Sequence, residues 1–390
     1  MLRRLNAVLA LLAVMLVILT VTTTALPQDR PLRITGKVVD NNGDPVSNVK
    51  ISLKGKEVGK SENNGAFQLR LGETDSRVAL TFAADGYVST TKVYDSRATG
   101  NGSTIVIWSI AYRVNFDASR GLDIGLGSSR IKIPANALFE AGGGKLKDPV
   151  VLSFTLLDIT NRLQRDAAPG DFSGQMTDGS IKRLNSYGIF YFDLQDLKGR
   201  QLSLSRGAKI DLSIAVPSEL SERAPKNVGF FDFDERTGRW IQAGVFAFDP
   251  STLTYNGSVT RFGGAHNLDD PQDTTCVTVQ VINVYDGSGM PNFSVTAHGQ
   301  QYSSSGTTNS SGFVCLLVQR NATFTVSAMG TLGSSTWATP NQPTFMSPNF
   351  SSGAADCGKN CTSCPLLGTV PVDLIVGTGR PPRQRFRSGR

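Results

Sequence analysis

Few residues in this sequence are of types that do chemistry. There are two histidines, His266 and His298. His266 stands in Gly263-Gly264-Ala265-His266-Asn267, which reads as a loop between domains, and His298 ends a predicted strand. Both are expected at the surface. Neither belongs to a His-Glu-x-x-His pattern, and no local spacing suits a two-histidine metal site. The sequence has no Gly-x-Ser-x-Gly elbow and no Gly-x-x-x-x-Gly-Lys-Ser/Thr phosphate loop. Asp232, Asp234 and Glu235 cluster near Trp240, and paired carboxylates beside an aromatic are the parts of a glycosidase. They equally suit a charged hairpin end beside a core tryptophan, since turns commonly carry Asp and Glu, and that is the reading adopted. Asp40-Asn41-Asn42-Gly43-Asp44 is similar to the start of a calcium loop. Ile51, however, stands where the loop's twelfth position needs a bidentate Glu, which leaves a weaker, turn-bound calcium as the alternative. No catalytic residue, no cofactor and no enzymatic activity are expected.

The five cysteines are Cys276, Cys315, Cys357, Cys361 and Cys364. In an oxidising compartment they predict two disulfides and one leftover thiol, with the connectivity open. Cys357-x3-Cys361-x2-Cys364 could also be read as a metal site, but no histidine lies near it and Asn360-Cys361-Thr362 is itself a glycosylation sequence. Exported thiols usually oxidise, so disulfides are the expectation.

Other features agree with export. Arg3 and Arg4 precede an apolar run from Leu5 to Val21, broken by Asn6 and Thr20, and small residues suit cleavage near Ala25. Residues 1–25 therefore read as a signal peptide. An uncleaved anchor at the cell surface is the alternative, since a membrane span takes about 20 apolar residues. Asn101, Asn256, Asn292, Asn309, Asn321, Asn349 and Asn360 each open an Asn-x-Ser/Thr site and, if glycosylated, should lie on exposed surface.

The net charge of +7 belongs to the two ends. Arg3 and Arg4 at one, and Arg380, Arg383, Arg385, Arg387 and Arg390 at the other, leave a neutral body between them. The Arg-rich tail, residues 377–390, could bind polyanions such as sulfated glycans or acidic membranes. It could equally be a solvated end or a trimmed propeptide. Nucleic acid is not expected, because the neutral body lacks a basic face with interleaved aromatics. Trp108 and Trp240 are expected to fill sandwich cores. Trp337, in a polar stretch rich in Gly, Ser, Thr and Pro, is the candidate for stacking on a sugar ring.

The elements that must carry these residues are short strands. Leu32 to Asp40 alternates, Asn41 to Pro45 is strong turn chemistry, and Val49 to Lys54 alternates again. Further strands are expected at 66–71, 78–82 and 105–110. Gly36-x-Val38-x-Asp40-x-x-Gly43-x-Pro45-Val46-x-x-Val49-x-Ile51, then Asn64-Gly65-Ala66-Phe67 and Phe82-x-x-x-Gly86-Tyr87, resembles the carboxypeptidase regulatory-like module. The resemblance implies a transthyretin-like β-sandwich and says little of function, since such modules ride on enzymes, receptors and matrix proteins alike. The pattern recurs after Cys276. Val277 to Val281, Gly289-Met290-Pro291, Phe293 to Ala297 and Ser311-Gly312-Phe313 match it at a near-constant offset, with Gly43-Asp44-Pro45 set against Gly289-Met290-Pro291.

Between the copies, Arg130 to Leu138, Val150 to Leu157, Gly188 to Leu194, Ala208 to Val216, Phe230 to Phe233 and Trp240 to Ala243 read as a sandwich of their own. Ile133-Pro134-Ala135-Asn136-Ala137-Leu138, Pro169-Gly170-Asp171-Phe172-Ser173, Leu184-x-Ser186-x-Gly188 and Phe231-Asp232-x-Asp234-x-x-x-Gly238-x-Trp240 are similar to the core of cartilage intermediate layer proteins and related secreted proteins. The thrombospondin and immunoglobulin modules of the animal matrix proteins are missing. The expectation is thus an all-β chain of three tandem β-sandwich domains, 31–113, 114–270 and 271–376, in a row with short linkers near Val114 and Asp269. A secreted or cell-surface structural or adhesive role follows, with extracellular matrix proteins or glycans as partners; a glycan-binding protein is the rival class.

Overall fold

The computed structural model describes residues 32–72, 77–95, 100–140, 142–144, 146, 149–300, 302–333, 335–349 and 364–375. The signal segment, Cys357, Asn360, Cys361 and the Arg-rich tail lie outside the described residues, as does the side chain of Asn101. The regular structure of the described residues is almost wholly strand, gathered in several sheets. Among them no helix is long and apolar enough to cross a membrane.

In the first unit, Leu32–Val39 lies between Ala66–Leu71, antiparallel, and Gly100–Val106, parallel. A second sheet runs in the order Lys56–Lys60, Lys50–Leu53, Arg77–Ala83, Thr90–Asp95. Alternation turns Ile34, Val38, Phe67 and Leu69 from one sheet onto Ile51, Leu80 and Phe82 from the other, and all are buried. The Phe67 and Phe82 rings meet at 5.3 Å. Lys56–Lys60 and Thr90–Asp95 escape a search for apolar alternation because they are edge strands made largely of polar residues, and the lysines and glutamate of the first guard against further pairing. Asp40 closes the first turn by accepting from the amides of Asn42 and Asp44 at 2.8 and 3.0 Å.

The central unit is built on a sheet of 11 strands between Tyr112 and Gln272, with Leu138–Glu140 and Leu202–Leu204 paired beside it as a two-stranded sheet. Most of Arg239–Asp249 pairs with Asn227–Asp234, and its last three residues pair with Thr254–Val259. That strand carries the sheet round so that its two ends face each other. Gly188 on one face lies against Ile214 on the other, where an added Cβ would sit 3.5 Å from the isoleucine. Phe154, Phe190, Phe192, Phe231, Trp240 and Phe246 fill the space between, each almost inaccessible. The strand Ile181–Asp196 is 16 residues long, well beyond the apolar run visible in the sequence. Its polar beginning, including Arg183 and Ser186, is buried too, and hydrophobic patterning cannot reveal that.

The third unit repeats the first. Thr274–Asn283 lies between Phe313–Gln319, antiparallel, and Leu366–Leu374, parallel. Ser303–Thr307, Ser294–His298, Thr323–Leu332 and Ser335–Ala338 follow in the order of the first unit's second sheet. Equivalent hydrogen bonds recur: Val38 donates to the Gly65 carbonyl and Val281 to the Gly312 carbonyl, each at 2.8 Å. Gly65 and Gly312 have φ of 78° and 82°. The bridges Val39 to Pro45 and Ile282 to Gly289 also correspond. Gly289 therefore matches Pro45 rather than Gly43, a shift that the longer turn before it hides in the sequence.

The short linker expected near Asp269 is a single residue lying four positions further on. Asp269 is fully buried within Ala265–Gln272, and Asp273 alone separates that strand from Thr274–Asn283. The units do not form a simple row. The first and third approach each other, Gly100–Val106 beside Thr323–Leu332 and Thr90–Asp95 beside Ser303–Thr307. A short helix of the central unit, Arg162–Ala167, reaches the first unit at Gly100–Val106.

Candidate functional site at the junction of the three units

One segment of the central unit, Asp158 to Gln175, holds the other two. Asn161 caps its helix by accepting from the amides of Leu163 and Gln164 at 2.9 and 3.3 Å. Toward the third unit, Arg162 donates to Gln342 Oε1 at 3.2 Å and approaches His298 Nε2 at 3.3 Å. Arg165 donates to the Gln300 carbonyl at 3.1 Å. Toward the first unit, the Ala167 carbonyl accepts from the Thr90 hydroxyl at 2.7 Å, and the Ala168 carbonyl from the Lys92 ammonium at 2.8 Å. Lys92 also donates to the Asp166 carbonyl. Burial pushes the Lys92 ammonium down to about 8, against the attraction of Asp166.

Two arginines close the junction around Asp171. Arg77, from the first unit, grips the carboxylate with both arms at 2.8 and 3.1 Å and donates to the Gly238 and Thr237 carbonyls at 2.8 and 3.1 Å. Ser173 adds a hydroxyl at 2.5 Å and an amide at 3.1 Å to the same carboxylate. Arg183, fully enclosed, donates to the Asp171 carbonyl and crosses to the third unit, bonding the Ser303 and Leu317 carbonyls at 3.2 and 3.1 Å and Ser304 Oγ at 3.2 Å. Burial opposes ionisation of Asp171, but Arg77, with Arg183 and Ser173, outweighs it and holds the carboxyl well below the usual range. Most donors of this arrangement are spent on carbonyls, serine hydroxyls and one carboxylate, while Arg183 Nε has no partner among the described residues. The arrangement binds units together rather than presenting groups to a substrate.

The structure brings some sequence candidates together and scatters others. His266 is not on a surface loop. It is buried in Ala265–Gln272, its ring between Phe190 and Phe230 with centroids 5.3 and 5.4 Å away. Its Nδ1 lies 2.8 Å from Asp232 Oδ1, because strand pairing sets Asp232 opposite His266. Its Nε2 is buried with no hydrogen-bond partner among the described residues, so the ring packs as a polar member of the core. Sequence reasoning missed this pair because 34 residues separate its members. His298 is half-buried at the junction, bonding Ser327 Oγ at 2.9 Å, and burial pushes it down to about 4 despite Asp166. The three central acids diverge: Asp232 turns to His266, Asp234 closes its own turn through Arg236 and Thr237, and Glu235 accepts from Ser89 of the first unit at 3.2 Å.

Trp240 fills the central core, but Trp108 is half-buried against Val39, Val106 and Ala167 at the junction. Trp337 is half-buried, edge-on to Tyr285 with centroids 6.1 Å apart. Tyr285 is 71% exposed and donates its hydroxyl to Asp373 at 2.6 Å. Cys276 bonds Cys364, and Cys315 Sγ lies 3.1 Å from Cys364 Sγ. Asn292, Asn309, Asn321 and Asn349 are exposed, whereas Asn256 is half-buried in a strand paired on both edges.

No protein-family model matches the chain. Over 224 residues, 54% of the chain, it is 24% identical to cartilage intermediate layer protein 2 of Mus musculus, and the match covers 19% of that relative's length. The Bacillus anthracis TIE protein aligns over 88% of this chain and 51% of its own, at 11% identity and a TM-score of 0.18. BcpA, the major pilin subunit of Bacillus cereus, aligns over 88% and 99% at 7% identity and a TM-score of 0.18. Scores this low carry no argument about either fold or function. The sequence match is what remains: half of this all-β chain is distantly similar to a cartilage intermediate layer protein.

Proposed function

We propose that the chain is a non-enzymatic structural or adhesive protein of the extracellular matrix or cell surface. The observation that carries this reading is the junction. Buried Arg183 and half-buried Arg77, Lys92 and Asp171, residue types that elsewhere do chemistry, here tie two repeated units to a central one. Such a body transmits force between distant surfaces and presents strand-end loops to partners. The distant similarity to a cartilage intermediate layer protein and the Cys276–Cys364 disulfide support the extracellular placement. The test is an array of matrix proteins and glycans probed with residues 26–390 and with the same chain lacking its last twelve residues. Binding of matrix proteins by both forms supports the reading. Binding by the longer form alone, to sulfated glycans and steeply weakened by salt, replaces it with a polyanion-binding tail.

One observation favours a second reading, glycan binding. Tyr285, Trp337 and Asp373 place an exposed aromatic, a second ring at 76° to it and a carboxylate together. This corner suits the apolar face and hydroxyls of a sugar. Glycan affinity that survives both Trp337→Ala and Tyr285→Ala would rule it out.

A further inference from the structure

Where Glu235 meets Ser89 there is a cavity of about 260 Å³ between the first and central units. Its walls are Ser89 and Thr91 from the first unit, Pro169 from the junction segment, Phe233 and Glu235 from the end of a central strand, and the start of the strand Ala265–Gln272. Among the described residues Glu235 is the one charged member of this lining, and its carboxylate receives a single hydrogen bond, from the Ser89 hydroxyl. The Thr91 hydroxyl is already paired with Thr81 at 2.9 Å. Phe233 supplies an aromatic wall, held edge-on against Trp240 at 4.9 Å. Behind Ala265 stands its cross-strand partner Tyr191, a buried phenol.

We infer that this cleft is a binding site for an arginine side chain carried on an extended segment of a partner chain. A guanidinium would give the carboxylate the bidentate partner it lacks and would lie against the phenylalanine, a pairing suited to a delocalised cation. The volume accommodates such a group. An anion would meet Glu235 with Asp234 beside it, and a neutral sugar would find few hydroxyl partners. The charge balance agrees: burial, then the neighbouring Asp234, raises the Glu235 carboxyl above its usual range, and an incoming cation relieves both effects. The inference goes beyond the adhesive reading and stands without it, since the array above could fail while this cleft still bound a basic segment.

The probe is a synthetic peptide of residues 379–390, which carries five arginines, titrated against the chain lacking those residues. The expected result is saturable binding that weakens about tenfold in Glu235→Gln, weakens in Ser89→Ala, and is competed by free arginine but not by glucose. Gln matches Glu in shape and removes only the charge, so the variant should fold, and an unchanged unfolding temperature checks this. No binding, equal binding by Glu235→Gln, or competition by glucose overturns the proposal.

Discussion

Asp171→Asn removes one charge and almost no volume from the junction, leaving Arg77 and Arg183 with no carboxylate between them. The Asp171 and Arg77 side chains are 19% and 27% exposed. Breaking a fully buried pair costs about 3–5 kcal/mol and a surface pair about 0–1. Partial exposure, and the amide oxygen that Asn keeps for Ser173, place the expected loss at about 2–3 kcal/mol. For a body of this size that lowers the unfolding temperature by roughly 3–4 °C in calorimetry. Because the folded carboxyl lies below its unfolded value, its stabilisation is complete above about pH 4 and fades as pH falls through the folded value. The gap between wild type and variant should thus be full at pH 7 and narrow only in strong acid. In the Asp171→Asn background, Arg77→Met should add little further cost. A neutral-pH loss under about 0.5 kcal/mol, or full additivity of the two substitutions, would refute the idea that this cluster locks the units.

Three further outcomes follow from the same reasoning. Burial raises the Asp269 carboxyl well above its usual range, with Asp270 adding to the effect, so the wild type loses stability as pH rises from about 4; Asp269→Asn should unfold at a higher temperature at pH 7, with the gain vanishing near pH 4. Lys92, pushed down to about 8, makes the wild type gain stability between about pH 8 and 10.4, and Lys92→Met should lose that rise in denaturant titrations. Ala at Gly65 or Gly312 would bring a Cβ to 2.4 Å from the Val38 carbonyl or 2.6 Å from the Val281 carbonyl, in a positive-φ conformation. Each should cost more than about 1 kcal/mol, and similar costs at the two sites would be the energetic signature of a repeated unit.

The sequence by itself determined the all-β class, because alternation and turn chemistry are local. Leu32 to Val39 declares a strand through its own residues, and Asp40 to Pro45 a turn. It also carried enough of the repeat for Gly65 and Gly312 to be matched. The tertiary structure decided what depends on residues far apart in the chain. Register alone brought Asp232 to His266 and moved that histidine from an expected loop into the core. Edge strands such as Thr90–Asp95 were invisible because their neighbours, not their hydrophobicity, make them strands. Arg77 and Arg183 look like ordinary surface arginines in sequence. Their enclosure is set by Asp171 and by carbonyls of the central and third units, and partners of that kind leave no pattern around the residue itself.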